Sequence, residues 1–461
     1  MYRSVQDRWA VVVLALLLLG GLMVPFSGSA VRADDEVEPQ QTRRIDFSVI
    51  AVMGDSLSQC FQDGVIRESA QNLSYIAHLA KQVKTELRQA LVRDPGFGNL
   101  FKLKNPAIPV RPLSLQSFLN LDTPTPVGSP RVDPSVRVNN FAVGGAKVND
   151  LINARPDPNN PATPIFVSLG IPWLFDNPPV RRSQIEFVET MNPKPTAIIL
   201  FIGGNDALAA GLNSNLDLLT DPNKFATDYE ELVRRAKATG AQLILVTVPD
   251  IPLIPAFVSN RDVAVIAGTA PELLALATGI QEGDYVTLRA LPSLVAILNN
   301  QQKGPLPKEL ILTKKQAKKI SKAIKKYNAK ITEIAAREKF PVVDLNVLLN
   351  ELAKKGIQIP GVGTVNNKYF GGVGSLDGIH LTNTGNALLA NAFIDTINKF
   401  YNTSIPLVDV VAIAKNDPLM PKGVPSVPEP MRKLSEREVR EAMARLQAAA
   451  DALISMFPNH K

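Results

Sequence analysis

Five short, mostly apolar runs recur along the chain: Phe47–Met53 (FSVIAVM), Ser135–Phe141, Thr196–Ile202 (TAIILFI), Gln242–Val248 (QLILVTV) and Phe340–Leu345 (FPVVDL). Their length, their β-branched content and the apolar residues at successive positions predict strands buried on both faces, as in a parallel sheet. Between them the period changes to three and four. Ser74–Val92, the span around Phe225–Ala238, and Thr313–Glu338 carry the pattern of amphipathic helices. In the last of these, Ala317, Ile320, Ile324, Tyr327, Ile331 and Ile334 form the buried stripe, and Thr313 with Gln316 forms a capping box at its start. Strands alternating with helices predict an α/β fold whose ligands bind just beyond the carboxyl ends of the strands.

Two intervals, at about 94–134 and 251–312, are too long for simple crossovers and are read as insertions into one domain spanning 46–401. A proline-rich linker (402–433) then leads to a predicted C-terminal amphipathic helix (434–457). Ser435 and Glu438 cap that helix, and Val439, Met443, Leu446, Ala450 and Leu453 supply one apolar stripe. The stripe is expected to pack back on the domain, with a partner or membrane surface as the alternative. At the other end, Arg3 and Arg8 precede an uncharged run from Trp9 to Val31 that ends in small residues. This predicts a signal peptide (1–33), cleaved after Ala30 or Ala33, followed by an acidic segment (34–45) and a secreted or periplasmic protein. An uncleaved membrane anchor is the alternative, opposed by Gly20, Gly21 and Pro25.

The composition narrows the chemistry. The 461 residues, 45% hydrophobic and 20% charged, suffice for a large core and exclude a disordered or disulfide-stapled chain. The single cysteine, Cys60, allows no intrachain disulfide and no thiolate cluster, and three histidines are too few for a multi-histidine metal site. No metal and no cofactor are therefore expected. Removal of residues 1–33 takes three arginines and one aspartate with it, lowering the formal charge from +7 to +5. That charge is too small and dispersed to point to nucleic acid, though it suits loose contact with a membrane or envelope polymer. The eight lysines between Lys314 and Lys330 are expected on the solvent side of their helix.

The strand ends hold the candidate chemistry. Gly54-Asp55-Ser56-Leu57 follows the first run, a position where a serine hydroxyl stands above a sheet beside exposed backbone N–H groups. Asn140 to Ala146 (NFAVGGA) follows the second, where a glycine lets a backbone N–H approach a reacting atom. Gly203-Gly204-Asn205-Asp206 follows the third and offers a side-chain amide donor. Near the C-terminus, Asp377 and His380 are spaced so that the carboxylate can hold the imidazole's tautomer. His78, inside a helical pattern, and His460, beside the end of the chain, have no such partner.

These four blocks, GDSL, NFAVGGA, GGND and DGIH, resemble in kind and order those of the GDSL or SGNH hydrolase superfamily, from Asp46 to about Tyr401. The resemblance implies a flavodoxin-like three-layer α/β/α sandwich with a mainly parallel five-stranded sheet. It also implies a Ser56, His380 and Asp377 triad, with an oxyanion hole from Ser56, Gly145 and Asn205; Gly145 matches the second block better than Gly144. VTVPDIP resembles a further block, in which Asp250 reads as structural. The expected activity is hydrolysis of carboxylic esters, lipid esters among them. Deacetylation or acetyl transfer on an envelope polysaccharide, and non-catalytic binding, are the alternatives. The apolar stretches at Ile171–Phe175 and Ile251–Val258 are candidate linings for an acyl group.

Overall fold

The computed structural model describes residues 44–98, 100–102, 120–122, 131–155, 181–267, 269–298 and 301–420. The predicted signal peptide, the C-terminal helix and the apolar stretch at Ile171–Phe175 lie outside these residues, as does the second part of the proline-rich linker, 421–433.

Four of the apolar runs form one parallel sheet: β1 (Ile50–Gly54), β2 (Ala197–Phe201), β3 (Gln242–Val246) and β4 (Val342–Val343), adjacent in that order. Alternate side chains point to opposite faces. Ile50, Val52, Ile199 and Ile244 pack with α2 (Tyr75–Gln82) and α7 (Asn383–Tyr401). Ala51, Met53, Ile198 and Leu243 pack with α4 (Pro222–Ala238) and α5 (Lys314–Glu338). Both faces are covered, which is why the strands read as continuous apolar runs. Along α5 the expected stripe is buried and the Thr313–Gln316 capping box is formed.

The fifth expected strand is reduced to a single parallel bridge, Asn140 opposite Val52, so the sheet has four strands rather than five. The segment does run along the free edge of β1, with Val52 N–H donating to Asn139 O (2.9 Å) and Phe141 N–H to Val52 O (2.8 Å). A regular strand is interrupted because Asn139 and Asn140 turn their side chains onto the backbone, at Arg88 N, Ser58 O and Ala142 N. Counted as the second segment, it gives the order 2-1-3-4-5. In sheets of that order the crevice for ligands lies at the carboxyl end of the first strand.

Two further expectations are corrected. The helix predicted over Ser74–Val92 ends at Gln82, because Lys84 takes a left-handed φ of 56° and Thr85 N–H closes back on Ala80 O. The chain also stays against the domain after Tyr401. Here α8 (Val410–Asn416) packs on α7, and the Asp417 carboxylate accepts from Thr384 N and Oγ1, both at 2.8 Å. Within the second insertion, Val258–Ser259, Tyr285–Val286 and Ile311–Leu312 form a small antiparallel sheet, beside a local core that includes Val263, Leu274, Val286 and Leu294. Among the described residues no helix is long and apolar enough to cross a membrane.

Candidate active site

β1 ends at Gly54, where a Cβ would lie 2.5 Å from Phe201 O and 2.8 Å from Ser58 Oγ. Only glycine fits between β1, β2 and the turn that follows. Gly54→Ala is expected to lower stability by about 1–3 kcal/mol through overpacking, read as a shifted urea midpoint at unchanged slope. Asp55 caps the short helix α1 (Ser56–Gln59) by accepting from Leu57 N–H at 3.0 Å, which places Ser56 at its first position. The helix stops at Cys60, which is left-handed (φ 73°) and buried. Burial pushes the Cys60 thiol up to about 12, so the thiolate that would react is suppressed.

Directly after α1 the chain makes a hairpin, Phe61–Gln62 paired with Val65–Ile66, turning on Asp63 (φ 54°) and Gly64 (φ 80°). This hairpin is not among the elements the hydrophobic periodicity predicts, although Asp-Gly between short apolar runs is a strong hairpin signal. The hairpin fastens the serine segment to one more than 300 residues away. Gly64 N–H donates to Asp377 Oδ2 (2.8 Å), Asp63 N–H to Ser375 Oγ (3.1 Å), and Leu376 N–H to Asp63 Oδ1 (3.0 Å). The Phe61 ring stacks on His380, with centroids 5.4 Å apart.

Asp377 and His380 are fully buried. Asp377 Oδ2 also bonds His380 Nδ1 at 2.8 Å, while Oδ1 accepts the backbone N–H groups of Ile379 and His380, each at 2.8 Å. Burial works to raise the Asp377 carboxyl. The His380 charge, the ring hydrogen bond and the two backbone donors outweigh it and bring the carboxyl down to about 2. Nδ1 is thereby held by the carboxylate, and His380 Nε2 has no hydrogen-bond partner among the described residues, Ser56 Oγ included. In enzymes such bonds commonly tighten only with substrate in place.

The remaining candidates lie at the neighbouring strand ends. Asn205 opens α3 (Asn205–Leu212); its Nδ2 donates to Ala146 O at 3.0 Å and, at 3.4 Å, to Asp55 Oδ2. Three chain segments therefore meet at one amide. Gly144 donates its N–H to Gln59 Oε1 (2.6 Å), whereas Gly145 takes a left-handed φ of 82°. Burial raises Asp55 to about 6, against the Leu57 N–H bond and the His380 charge, which lower it. Burial likewise raises Asp206 to about 6. Asp250 accepts from Ser321 Oγ (2.5 Å) and donates its N–H to Asn346 (2.8 Å), bracing α5 against the segment after β4. His78 lies half-buried on α2, apart from these groups.

Ser56 and Asn205 also line a largely aliphatic cavity of about 100 Å³. A mainly parallel sheet between helical layers, with polar groups gathered at its strand ends, defines an α/β enzyme. Residues 50–393 match the family described as GDSL-like Lipase/Acylhydrolase, and the chain belongs to that family. It is an ester hydrolase. None of the curated proteins matches the chain. Among solved structures it is similar to LAE5, an alpha/beta hydrolase enzyme from the metagenome of Lake Arreo, Spain, at 14% identity over 77% of this chain and 96% of that one, with a TM-score of 0.34. It is similar also to the acetyl xylan esterase AlAXEase, at 12% identity over 76% and 100%, TM-score 0.31. A variant of Axe2, an acetyl xylan esterase from Geobacillus stearothermophilus, aligns at 14% identity over 78% and 95%, TM-score 0.34. Overlays this loose carry no argument about substrate.

Proposed function

We propose that this protein is a secreted serine esterase that works through an acyl-enzyme. His380 Nε2 takes the Ser56 proton, Ser56 Oγ attacks the ester carbonyl, and the buried Asp377 carboxylate steadies the imidazolium that forms. His380 then protonates the departing alcohol and activates the water that releases the acid. The oxyanion is met by the N–H groups of Ser56 and Gly145 and by the Asn205 amide. Gly145 is preferred over Gly144 because the Gly144 N–H is already committed to Gln59. The Asn205 bond to Asp55 is the longer of its two and is the one that yields to an oxyanion. Secretion is supported by the arginine-flanked apolar run at the N-terminus.

The observation that carries this reading is the buried Asp377–His380 pair, with Nδ1 occupied and Nε2 without a hydrogen-bond partner among the described residues, bound by the 61–66 hairpin to the segment that holds Ser56. Deacetylation of a polysaccharide has less support, since the aliphatic walls beside Ser56 offer few hydrogen bonds to sugar hydroxyls. The test is a fluorophosphonate probe on the purified mature protein. A single adduct on Ser56, located by peptide mass, is expected, and an unlabelled Ser56 would end the proposal. Asn205→Ala should lower kcat by about 10² to 10³ with a smaller change in KM, the pattern of a donor used mainly in the transition state.

A further inference from the structure

The cavity beside Ser56 has a helical wall that the four sequence blocks do not include. On α6 (Leu345–Lys354), Leu345, Leu348, Leu349 and Leu352 all line it, the spacing of one helix face, while Val347 on the opposite face is 65% exposed. Leu388 and Leu389 of α7 line it as well, and the start of the second insertion, Ile251 to Pro255, contributes a further wall. That stretch is tied to the catalytic loop: Ala256 N–H donates to Gly378 O (2.8 Å) and Asn367 Nδ2 to Leu253 O (3.1 Å). Besides Ser56, the polar side chains at the cavity are confined to Asp55, Asn205 and Asn367.

We propose that this cavity is the acyl-chain site, that its preferred substrates are esters of medium-length acids, and that Leu348 and Leu349 of α6 set the chain-length limit. The inference rests on Ser56 being the residue that is acylated. An acyl group bound to Ser56 begins at the cavity wall, and its methylenes gain by leaving water for aliphatic surroundings. The size of the cavity decides the length. An apolar protein cavity of about 150 Å³ accepts benzene. About 100 Å³ with an open mouth therefore suits an acyl chain on the order of four to six carbons, more than acetyl needs and far less than palmitoyl would fill.

The experiment measures kcat/KM for p-nitrophenyl acetate, butyrate, hexanoate, octanoate and palmitate with the mature protein, alongside fluorophosphonate labelling of Ser56. A rise of about fourfold per added methylene up to butyrate or hexanoate is expected, with no further gain at octanoate and a fall at palmitate. Leu348→Trp, which puts an indole into the cavity, should lower the hexanoate-to-acetate ratio at least tenfold, with Ser56 still labelled. Leu349→Phe should lower it in the same direction. A labelled wild type that prefers acetate, or whose rates do not depend on chain length, overturns the acyl-site proposal and leaves the esterase reading standing. Absence of labelling fails the esterase reading itself. If both cavity variants misfold, hexanoate binding to Ser56→Ala decides by titration calorimetry: saturable binding supports the site, and none overturns it.

Discussion

A Ser56→Ala protein is expected to fold normally and to lose ester turnover by a factor of about 10⁴ to 10⁶, the range seen when the nucleophile of a serine triad is removed. The loss is large because the remaining groups have nothing to activate. His380 and the proposed oxyanion donors remain in place, yet no covalent intermediate forms and water must attack without a positioned nucleophile. The fold should survive because Ser56 Oγ is not the partner of His380 Nε2 in the resting arrangement, and the cap on α1 comes from Asp55. Two measurements check it: steady-state hydrolysis of a p-nitrophenyl ester, and the urea midpoint compared with wild type. Turnover above about one hundredth of the wild-type rate in a folded variant would remove Ser56 from the chemistry.

How much of this site could be read from the chain depends on the range of the interactions involved. The strand-end positions of Ser56 and Asn205 were legible because each directly follows a buried run whose apolar content is a local property. Asp377 and His380 were legible as a pair because three residues separate them. What joins the two halves was not, since Gly64 to Asp377 is a contact across most of the domain with no trace in either segment alone. The hairpin that makes that contact did carry a signal, Asp63-Gly64 between short apolar runs, but it stands within a dozen residues of a stronger motif. The edge segment at Asn140 has the hydrophobic pattern of a strand, but its asparagine side chains compete for the backbone and break the pairing. The helical prediction over Ser74–Val92 failed in the opposite way. Apolar residues such as Ala90 and Val92 are buried as expected, but from extended chain after the left-handed Lys84. The α6 wall carried no motif at all, and only the fold brings its leucines beside Ser56.

Asp377→Asn is the second large effect, expected to lower kcat by about 10⁴ and to change how stability responds to acid. The carboxylate accepts on both oxygens, from Gly64 and His380 Nδ1 on one side and from Ile379 and His380 backbone N–H groups on the other. An amide has only one acceptor oxygen, so either the ring loses its orienter or the loop loses its donors' partner. The first releases the tautomer that leaves Nε2 free to take a proton; the second leaves buried N–H groups unpaired at a cost of about 1–3 kcal/mol. Asp377 titrates near 2 in the folded protein, below the ordinary 3.8, so its stabilisation is complete above about pH 4 and is lost as pH falls toward 2. By linkage that amounts to about 2 kcal/mol, absent from the asparagine variant. Asp55, Asp63 and Asp206 act with the opposite sign. Burial raises each to about 6, so they hold protons in the folded state that the unfolded chain has released, and stability declines as pH rises from about 4 to about 6. Urea midpoints taken across pH 2 to 7 separate the two. The difference between wild type and Asp377→Asn should narrow as pH falls from about 4 toward 2. A difference that instead grew as pH fell from about 4 toward 2 would mean that Asp377 is not the strongly acidic partner of His380.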